Sequence, residues 1–220
     1  MNRVRPRFAR LLLDVDSTLC ALEGIDELAC WRGPAAAARV VALTERAMAG
    51  ATPLEKVYAR RLALARPDAT ALARLGKLYV RRLVPGMVRL IADARRAGVD
   101  VVLLSGGLRP ALLPLLARLA LPGSALFAVD VALDARGRFA GFDRRSPLVR
   151  SDGKREVAAR LAPPGGKSLL VGDGASDAAA RPAVDAFCAF TAVVSRPKVV
   201  AQADHVAHDA TALRRLLRLR

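Results

Sequence analysis

The chain has 220 residues, 53% of them hydrophobic and only 4% aromatic, enough for an aliphatic core and too apolar for a disordered chain. Its 36 basic and 20 acidic residues give a net charge of +16, but the basic residues are spread along the whole chain with no aromatic residues interleaved, which argues against a nucleic-acid platform. No apolar run approaches the length of a membrane-spanning helix.

Small arginine groups stand at the two ends, Arg3, Arg5, Arg7 and Arg10, then Arg214, Arg215, Arg218 and Arg220. A biased Ala/Arg/Leu composition accounts for the charge, and the resulting field would favour an anionic small substrate. Cys20, Cys30 and Cys188 are odd in number and lack metal-ligand spacing, which fits reduced thiols and a cytoplasmic location. The N-terminal apolar run is stopped by Asp14, too early for a signal peptide.

From Phe8 to Leu13 the chain is apolar apart from Arg10, which predicts a buried strand ending in Asp14-Val15-Asp16-Ser17-Thr18. Carboxylates two apart point to opposite faces of a strand. At the strand's end the backbone can turn and bring both to one site. Taken alone, Asp-x-Asp is equally well a capped turn.

The next stretch, residues 22–84, carries helical patterns and no strand signal. Helices are expected from Glu23 to about Gly33-Pro34, from Ala35 to Ala49 with Gly50 as a stop, and from about Asp68 to Leu83. Thr52-Pro53-Leu54-Glu55 has the form of a capping box with proline at the first helical position. Leu54, Val57, Tyr58, Arg61 and Leu62 then share one helical face.

Beyond Pro85-Gly86, Met87 to Ala97 reads as a helix and Val99 to Leu104 as a strand ending in Ser105-Gly106-Gly107. Arg109 to Ala120 is helical. Leu126 to Leu133 and Arg138 to Phe142 are expected to pair as a hairpin about Asp134-Ala135-Arg136-Gly137. A helix over Asp152 to Leu161 carries Lys154. A strand from Ser168 to Val171 runs into Gly172-Asp173-Gly174-Ala175-Ser176-Asp177, another strand follows over Val184 to Phe190, and Asp209 to Arg220 is an amphipathic helix. Strands alternating with helices imply an α/β fold with a parallel sheet and right-handed crossovers.

Three expected strands thus end in polar, glycine-containing turns, and the ends of parallel strands converge. Singly, each has a plainer reading: a turn for Ser105-Gly106-Gly107, a cap for Asp173, a solvated surface lysine for Lys154. Together they supply carboxylates for a hard cation, and a hydroxyl and an ammonium for phosphate oxygens.

In this order the motifs resemble those of the haloacid dehalogenase superfamily of phosphotransferases, and most nearly its phosphoserine phosphatase family. Glu23-Gly24-Ile25-Asp26-Glu27-Leu28-Ala29 is similar to that family's first cap helix, and Arg46-Ala47-Met48 with Gly50 to its second. Arg61-Leu62-Ala63-Leu64 is similar to the segment bearing its substrate arginine, and Gly137 with Ala140-Gly141-Phe142-Asp143 to its small β flap. The resemblance covers about residues 11–209. It implies a Rossmann-like, parallel-sheet core over residues 1–21 and 85–220, with a β flap at about 127–143 and an inserted helical cap over 22–84.

It also implies a Mg²⁺-dependent phosphoric monoester hydrolase producing L-serine from O-phospho-L-serine, the last step of serine biosynthesis. In that reading Asp14 is the nucleophile and Asp16 the general acid, then base. Ser105, Gly106 and Lys154 hold the phosphoryl group. Asp14, the Asp16 carbonyl and Asp173 bind Mg²⁺, with Asp177 in support. Glu23 faces the substrate ammonium, Arg61 its carboxylate, and Met48 is an apolar wall. Arg60 is a rival to Arg61; the family spacing and the face shared with Val57 and Tyr58 favour Arg61. A monomer or homodimer is expected, with no membrane or nucleic-acid partner.

The chain departs from the family at Leu13, Leu54, Val129-Asp130, Thr191-Ala192-Val193 and Ser176. None of these removes a catalytic group, but they leave room for another small phosphorylated metabolite. Transfer of phosphate to an alcohol other than water, and nucleic-acid binding on a phosphatase scaffold, are the alternatives. His205 and His208 match nothing catalytic.

Overall fold

The computed structural model describes residues 6–219; Arg3, Arg5 and Arg220 of the terminal basic groups lie outside the described residues. In chain order the elements are β1 (Arg10–Leu13), α1 (Gly24–Cys30), α2 (Pro34–Met48), α3 (Leu54–Ala65), α4 (Ala69–Arg81), α5 (Met87–Arg96), β2 (Asp100–Leu108) and α6 (Arg109–Leu119). There follow β3 (Leu126–Val129), β4 (Val131–Leu133), β5 (Phe139–Phe142), α7 (Gly153–Arg160), β6 (Ser168–Gly172), α8 (Ala175–Ala179), β7 (Ala186–Phe190), α9 (Pro197–Val200), β8 (His205–Ala207) and α10 (Ala210–Leu217).

Six strands form one sheet in the order β3-β2-β1-β6-β7-β8, and every neighbouring pair is parallel. β1 is bonded to β2 on one side and β6 on the other, so Leu11, Leu12 and Leu13 are covered on both faces and fully buried. Each such leucine stabilises the fold by about 1.5–3 kcal/mol, which is why the central strand is an apolar run rather than an alternation. The chain builds outward from β1 through β2 to β3, then returns to the other side of β1 at β6. That reversal puts a topological switch point at the carboxyl end of β1, where a ligand crevice opens.

Helices α1 to α4 all lie between β1 and β2 in the chain. The segments entering and leaving this helical module are bonded to each other: the Ala21 amide donates to the Arg82 carbonyl at 2.8 Å and the Val84 amide to the Leu19 carbonyl at 2.9 Å. The expected apolar face of α3 is buried, with Leu54, Val57, Tyr58, Arg61 and Leu62 all inside.

The start of α3 differs from expectation. Thr52 makes no capping box: its Oγ1 is buried with no hydrogen-bond partner among the described residues, and Pro53 is the residue before the helix. Ser151 takes over from across the molecule, its Oγ accepting from the Leu54 amide at 2.8 Å. Glu55, the other half of the expected box, instead receives the Ser151 amide and hydroxyl, each at 3.0 Å.

The stretch from Leu126 to Leu133 also divides. Leu126–Val129 joins the main sheet beside β2, and only Val131–Leu133 pairs antiparallel with Phe139–Phe142. Val129 is fully buried whereas Asp130 is exposed and ion-paired with Arg109 at 2.9 Å, so the strand breaks between them. The hairpin turn lies where expected, with the Gly137 amide donating to the Asp134 carbonyl at 2.8 Å. β2 runs on through Ser105-Gly106-Gly107 to Leu108, with a register shift between Leu104 and Leu108 that marks a bulge. The sheet's last strand, β8, is three residues long and carries no apolar run, so the sequence gives no sign of it.

Candidate active site

β1 leads into Asp14, whose amide still bonds the Val171 carbonyl at 3.0 Å. The chain then turns sharply. Ser17 has a left-handed backbone with φ of 53°, and its amide reaches the Leu22 carbonyl at 3.0 Å. The turn sets the two carboxylates to different tasks. Asp14 faces the core side: Lys154 Nζ, from the first turn of α7, lies 2.6 Å from Asp14 Oδ1 and 2.7 Å from Asp177 Oδ1. Asp16 faces the helical module, its Oδ1 accepting from the Gly24 amide at 2.8 Å and the Tyr79 hydroxyl at 2.6 Å.

β6 delivers Asp173. Thr18 Oγ1 donates to Asp173 Oδ1 at 2.7 Å, and Arg196 is ion-paired with its other oxygen. Asp177 folds back over the end of β6, where a Cβ on Gly172 would lie 2.1 Å from its carboxyl carbon; glycine is required there by the close approach. Asp14, Asp173 and Asp177 are all buried, and each offers an oxygen within 4.8 Å of the others.

The charges are unevenly shared. Burial pushes the Asp14 carboxyl well above its usual range, Asp177 adds to this, and Lys154 pulls the other way. Burial likewise raises Asp173, to about 6, against the pull of Arg196. Burial opposes the charge on Lys154, but the flanking carboxylates of Asp14 and Asp177 outweigh it and hold the ammonium above its ordinary value. Asp16 is raised by burial, against the Tyr79 and Gly24 hydrogen bonds.

A pocket that opens in part to solvent lies among these groups. Of the residues expected from sequence, Asp14, Asp16, Glu23, Met48, Arg61, Gly106, Lys154 and Asp173 line it. Ser105 and Asp177 lie behind the wall. Ser105 is fully buried; its Oγ accepts from the Gly107 amide at 2.9 Å and lies 3.4 Å from Asp16 Oδ2. Arg61 is buried and Arg60 exposed. Arg61 Nη2 pairs with Asp26 Oδ1 at 3.3 Å, while its buried Nε has no hydrogen-bond partner among the described residues. Glu23 accepts from Ser17 Oγ at 2.8 Å, and burial together with the nearby Asp16 and Asp173 raises its carboxyl to about 8.

Four contributors were given no site role from sequence: Tyr79 on Asp16, Arg196 on Asp173, Asp26 on Arg61, and Tyr58, whose hydroxyl donates to the Gly106 carbonyl at 2.7 Å. Only Tyr58 and Asp26 could have been suspected from sequence, as neighbours of Arg61 and Glu23 on helical faces.

Buried carboxylates, a buried lysine and a buried arginine thus gather at the switch point, beneath helices inserted after the first strand, a layout that suits a hydrolase of anionic esters. The chain belongs to the haloacid dehalogenase-like hydrolase family, whose model matches residues 11–180. Within that family it is similar to the phosphoserine phosphatase of Rattus norvegicus, 38% identical over 188 residues that cover 84% of this chain and 83% of that protein. It is also similar to the chloroplastic phosphoserine phosphatase of Arabidopsis thaliana, 36% identical over 197 residues covering 87% of this chain; there it spans 65% of the relative's length. In fold it resembles a phosphoserine phosphohydrolase-like protein from Francisella tularensis, with a TM-score of 0.85 at 24% identity over 94% of this chain and 99% of that one.

Proposed function

We propose that this chain is a Mg²⁺-dependent phosphatase that hydrolyses O-phospho-L-serine to L-serine and phosphate through an aspartyl-phosphate on Asp14. The observation that carries the substrate class is the buried Nε of Arg61, a charged donor without an acceptor among the described residues, on a pocket that also holds Glu23 and Asp14. An unmet buried donor is costly, and a substrate carboxylate would satisfy it as a bidentate partner. Glu23 supplies the opposite charge for the α-ammonium. Met48, whose sulfur packs against Gly174, gives the apolar side of the pocket.

The donor set fits magnesium. Carboxylate oxygens are hard ligands, and Asp14, Asp173 and Asp177 each offer one within 4.8 Å of the others. Asp14, Asp173 and the Asp16 carbonyl would hold the ion, with Asp177 in support; when bound, it neutralises charge on the phosphoryl oxygens.

The chain's own groups divide the chemistry. Lys154 fixes Asp14 and offers its ammonium to the phosphoryl group, joined by the Ser105-Gly106-Gly107 stretch of β2. An Asp14 oxygen attacks phosphorus as the bond to the seryl oxygen breaks. Asp16 gives that oxygen its proton and leaves as a carboxylate. In the second half it takes a proton from water, whose oxygen attacks phosphorus and releases Asp14. The three free thiols, of Cys20, Cys30 and Cys188, support a cytoplasmic location.

The test is a panel of phosphorylated metabolites assayed with Mg²⁺, followed by product analysis with homoserine as a competing alcohol. Phosphoserine should lead the panel and water should be the acceptor. A different preferred ester would replace the substrate, and phosphohomoserine as main product would make the chain a transferase.

A further inference from the structure

Tyr79 sits near the end of α4, far in sequence from the strand-end motifs, and is fully buried. Its hydroxyl is 2.6 Å from Asp16 Oδ1, and the Gly24 amide is 2.8 Å from the same oxygen. The other oxygen, Oδ2, faces the phosphoryl end of the pocket, 3.4 Å from Ser105 Oγ and 3.1 Å from where a Cβ of Gly107 would be. Gly24 is part of the same device: a Cβ there would stand 2.0 Å from the Tyr79 oxygen, so only glycine lets the phenol reach Asp16.

We infer that Tyr79 is a positioning residue that keeps the Asp16 proton on Oδ2, the oxygen that meets the leaving group. Two donors fill the acceptor sites of Oδ1. A proton on that oxygen would confront both of them, so the acid's hydrogen must be on Oδ2. The phenol carries one hydrogen, and Tyr79 donates it to Oδ1. With the phenol lost, one acceptor site on Oδ1 opens. The proton can then settle on the side away from the substrate, and the carboxyl can rotate. The leaving oxygen then departs with its electron pair unprotonated, a burden that grows with its basicity.

This rests on Asp16 being the acid of the proposed reaction, but its test does not require phosphoserine. kcat/KM is measured for the wild type and Tyr79→Phe over substituted phenyl phosphates, from p-nitrophenyl to unsubstituted phenyl, with phosphoserine added. We expect the loss in Tyr79→Phe to rise with leaving-group basicity, from about threefold on p-nitrophenyl phosphate to about 100-fold on the most basic leaving groups. A general loss of folded enzyme lowers the whole series by one factor and leaves the slope unchanged. If Tyr79→Phe does not fold, Gly24→Ala, which drives the hydroxyl off Asp16, is measured in its place. Parallel lines for variant and wild type would overturn the inference. A wild type that hydrolyses the phenyl series but ignores phosphoserine would overturn the substrate assignment alone.

Discussion

Ser151 Oγ accepts the amide hydrogen of Leu54 at 2.8 Å, so a residue 97 positions away caps α3. The same hydroxyl and the Ser151 amide bind the Glu55 carboxylate. α3 carries Tyr58 and Arg61, both on the buried face of the helix, so this small polar junction fixes the start of the helix that bears them. Ser151→Ala should cost about 1 kcal/mol, as N-cap losses do. In a chain of this size that lowers the thermal midpoint by about 3 °C. An unchanged midpoint in calorimetry would mean that the burial of α3 alone sets its position.

Asp14→Asn should abolish turnover, by at least about a thousandfold, while circular dichroism and the thermal midpoint report a folded chain. Lys154 would retain Asp177 as a partner at 2.7 Å, so the local structure has reason to persist. Beryllofluoride, which mimics an aspartyl-phosphate, should bind the wild type and not the variant. Near-normal turnover by the variant would rule out covalent catalysis at this residue.

Chelation should remove activity and Mg²⁺ should restore it, with Ca²⁺ inhibiting. The three buried carboxylates offer oxygens within 4.8 Å of one another, a compact set suited to a small octahedral ion. Calcium takes more ligands at longer distances and would spoil in-line attack. Titration of Mn²⁺ followed by electron paramagnetic resonance gives a second readout, in which Asp173→Asn should weaken binding at least about tenfold. Full activity after exhaustive chelation would exclude this metal site.

Much of the core was legible because its signals are local. Leu11 to Leu13 and Ser168 to Val171 are apolar runs, and runs of that kind become central parallel strands. Asp14, Lys154 and Asp173 stand at strand ends or helix starts, where pattern and position coincide, whereas Ser105 lies inside β2, which runs on to Leu108. The rest depends on contacts that sequence order hides. Thr52 has a good cap sequence, yet Ser151 arrives from the other side of the fold and takes its place. Leu126 to Leu133 reads as one strand, and only the exposure of Asp130 beside Arg109 shows where it splits. Tyr79 and Arg196 lie in stretches whose own patterns speak of a helix end and a loop; their partners, Asp16 and Asp173, are supplied by tertiary structure.

Glu23 gives a pH-dependent prediction. Its carboxyl is raised from an ordinary 4.5 to about 8, first by burial and then by Asp16 and Asp173. Between those values the folded chain binds more protons at this group than the unfolded chain does, so stability falls as pH rises through the window. Glu23→Gln removes the penalty. The substrate-free variant should melt higher than wild type at about pH 9 and alike at about pH 5. A variant that melts lower at about pH 9 would show that the ionised carboxylate is stabilised in the fold.

The last prediction concerns recognition. In the proposed reaction Asp14, Lys154 and the Ser105-Gly106-Gly107 stretch of β2 would meet only the phosphoryl group, which every monoester shares. The amino-acid end must be read by the helical module, and Glu23 and Arg61 are the module's charged side chains on the pocket. Arg61 is held from behind by Asp26, leaving its buried Nε for a ligand. Arg61→Ala and Glu23→Gln should therefore weaken kcat/KM for phosphoserine by about 2–5 kcal/mol each, because the loss leaves a substrate charge unpaired in a closed site. p-Nitrophenyl phosphate has neither ammonium nor carboxylate and should lose little. Part of the phosphoserine loss should appear in kcat, since binding at the amino-acid end also draws the site closed around the reacting bond. Binding of a non-hydrolysable phosphoserine analogue near neutral pH should release a proton as Glu23 ionises against the ammonium, visible as a buffer-dependent heat in calorimetry. Equal losses on both substrates, with no proton released, would make the two residues supports of the fold and remove the amino-acid end from the recognition this pocket performs.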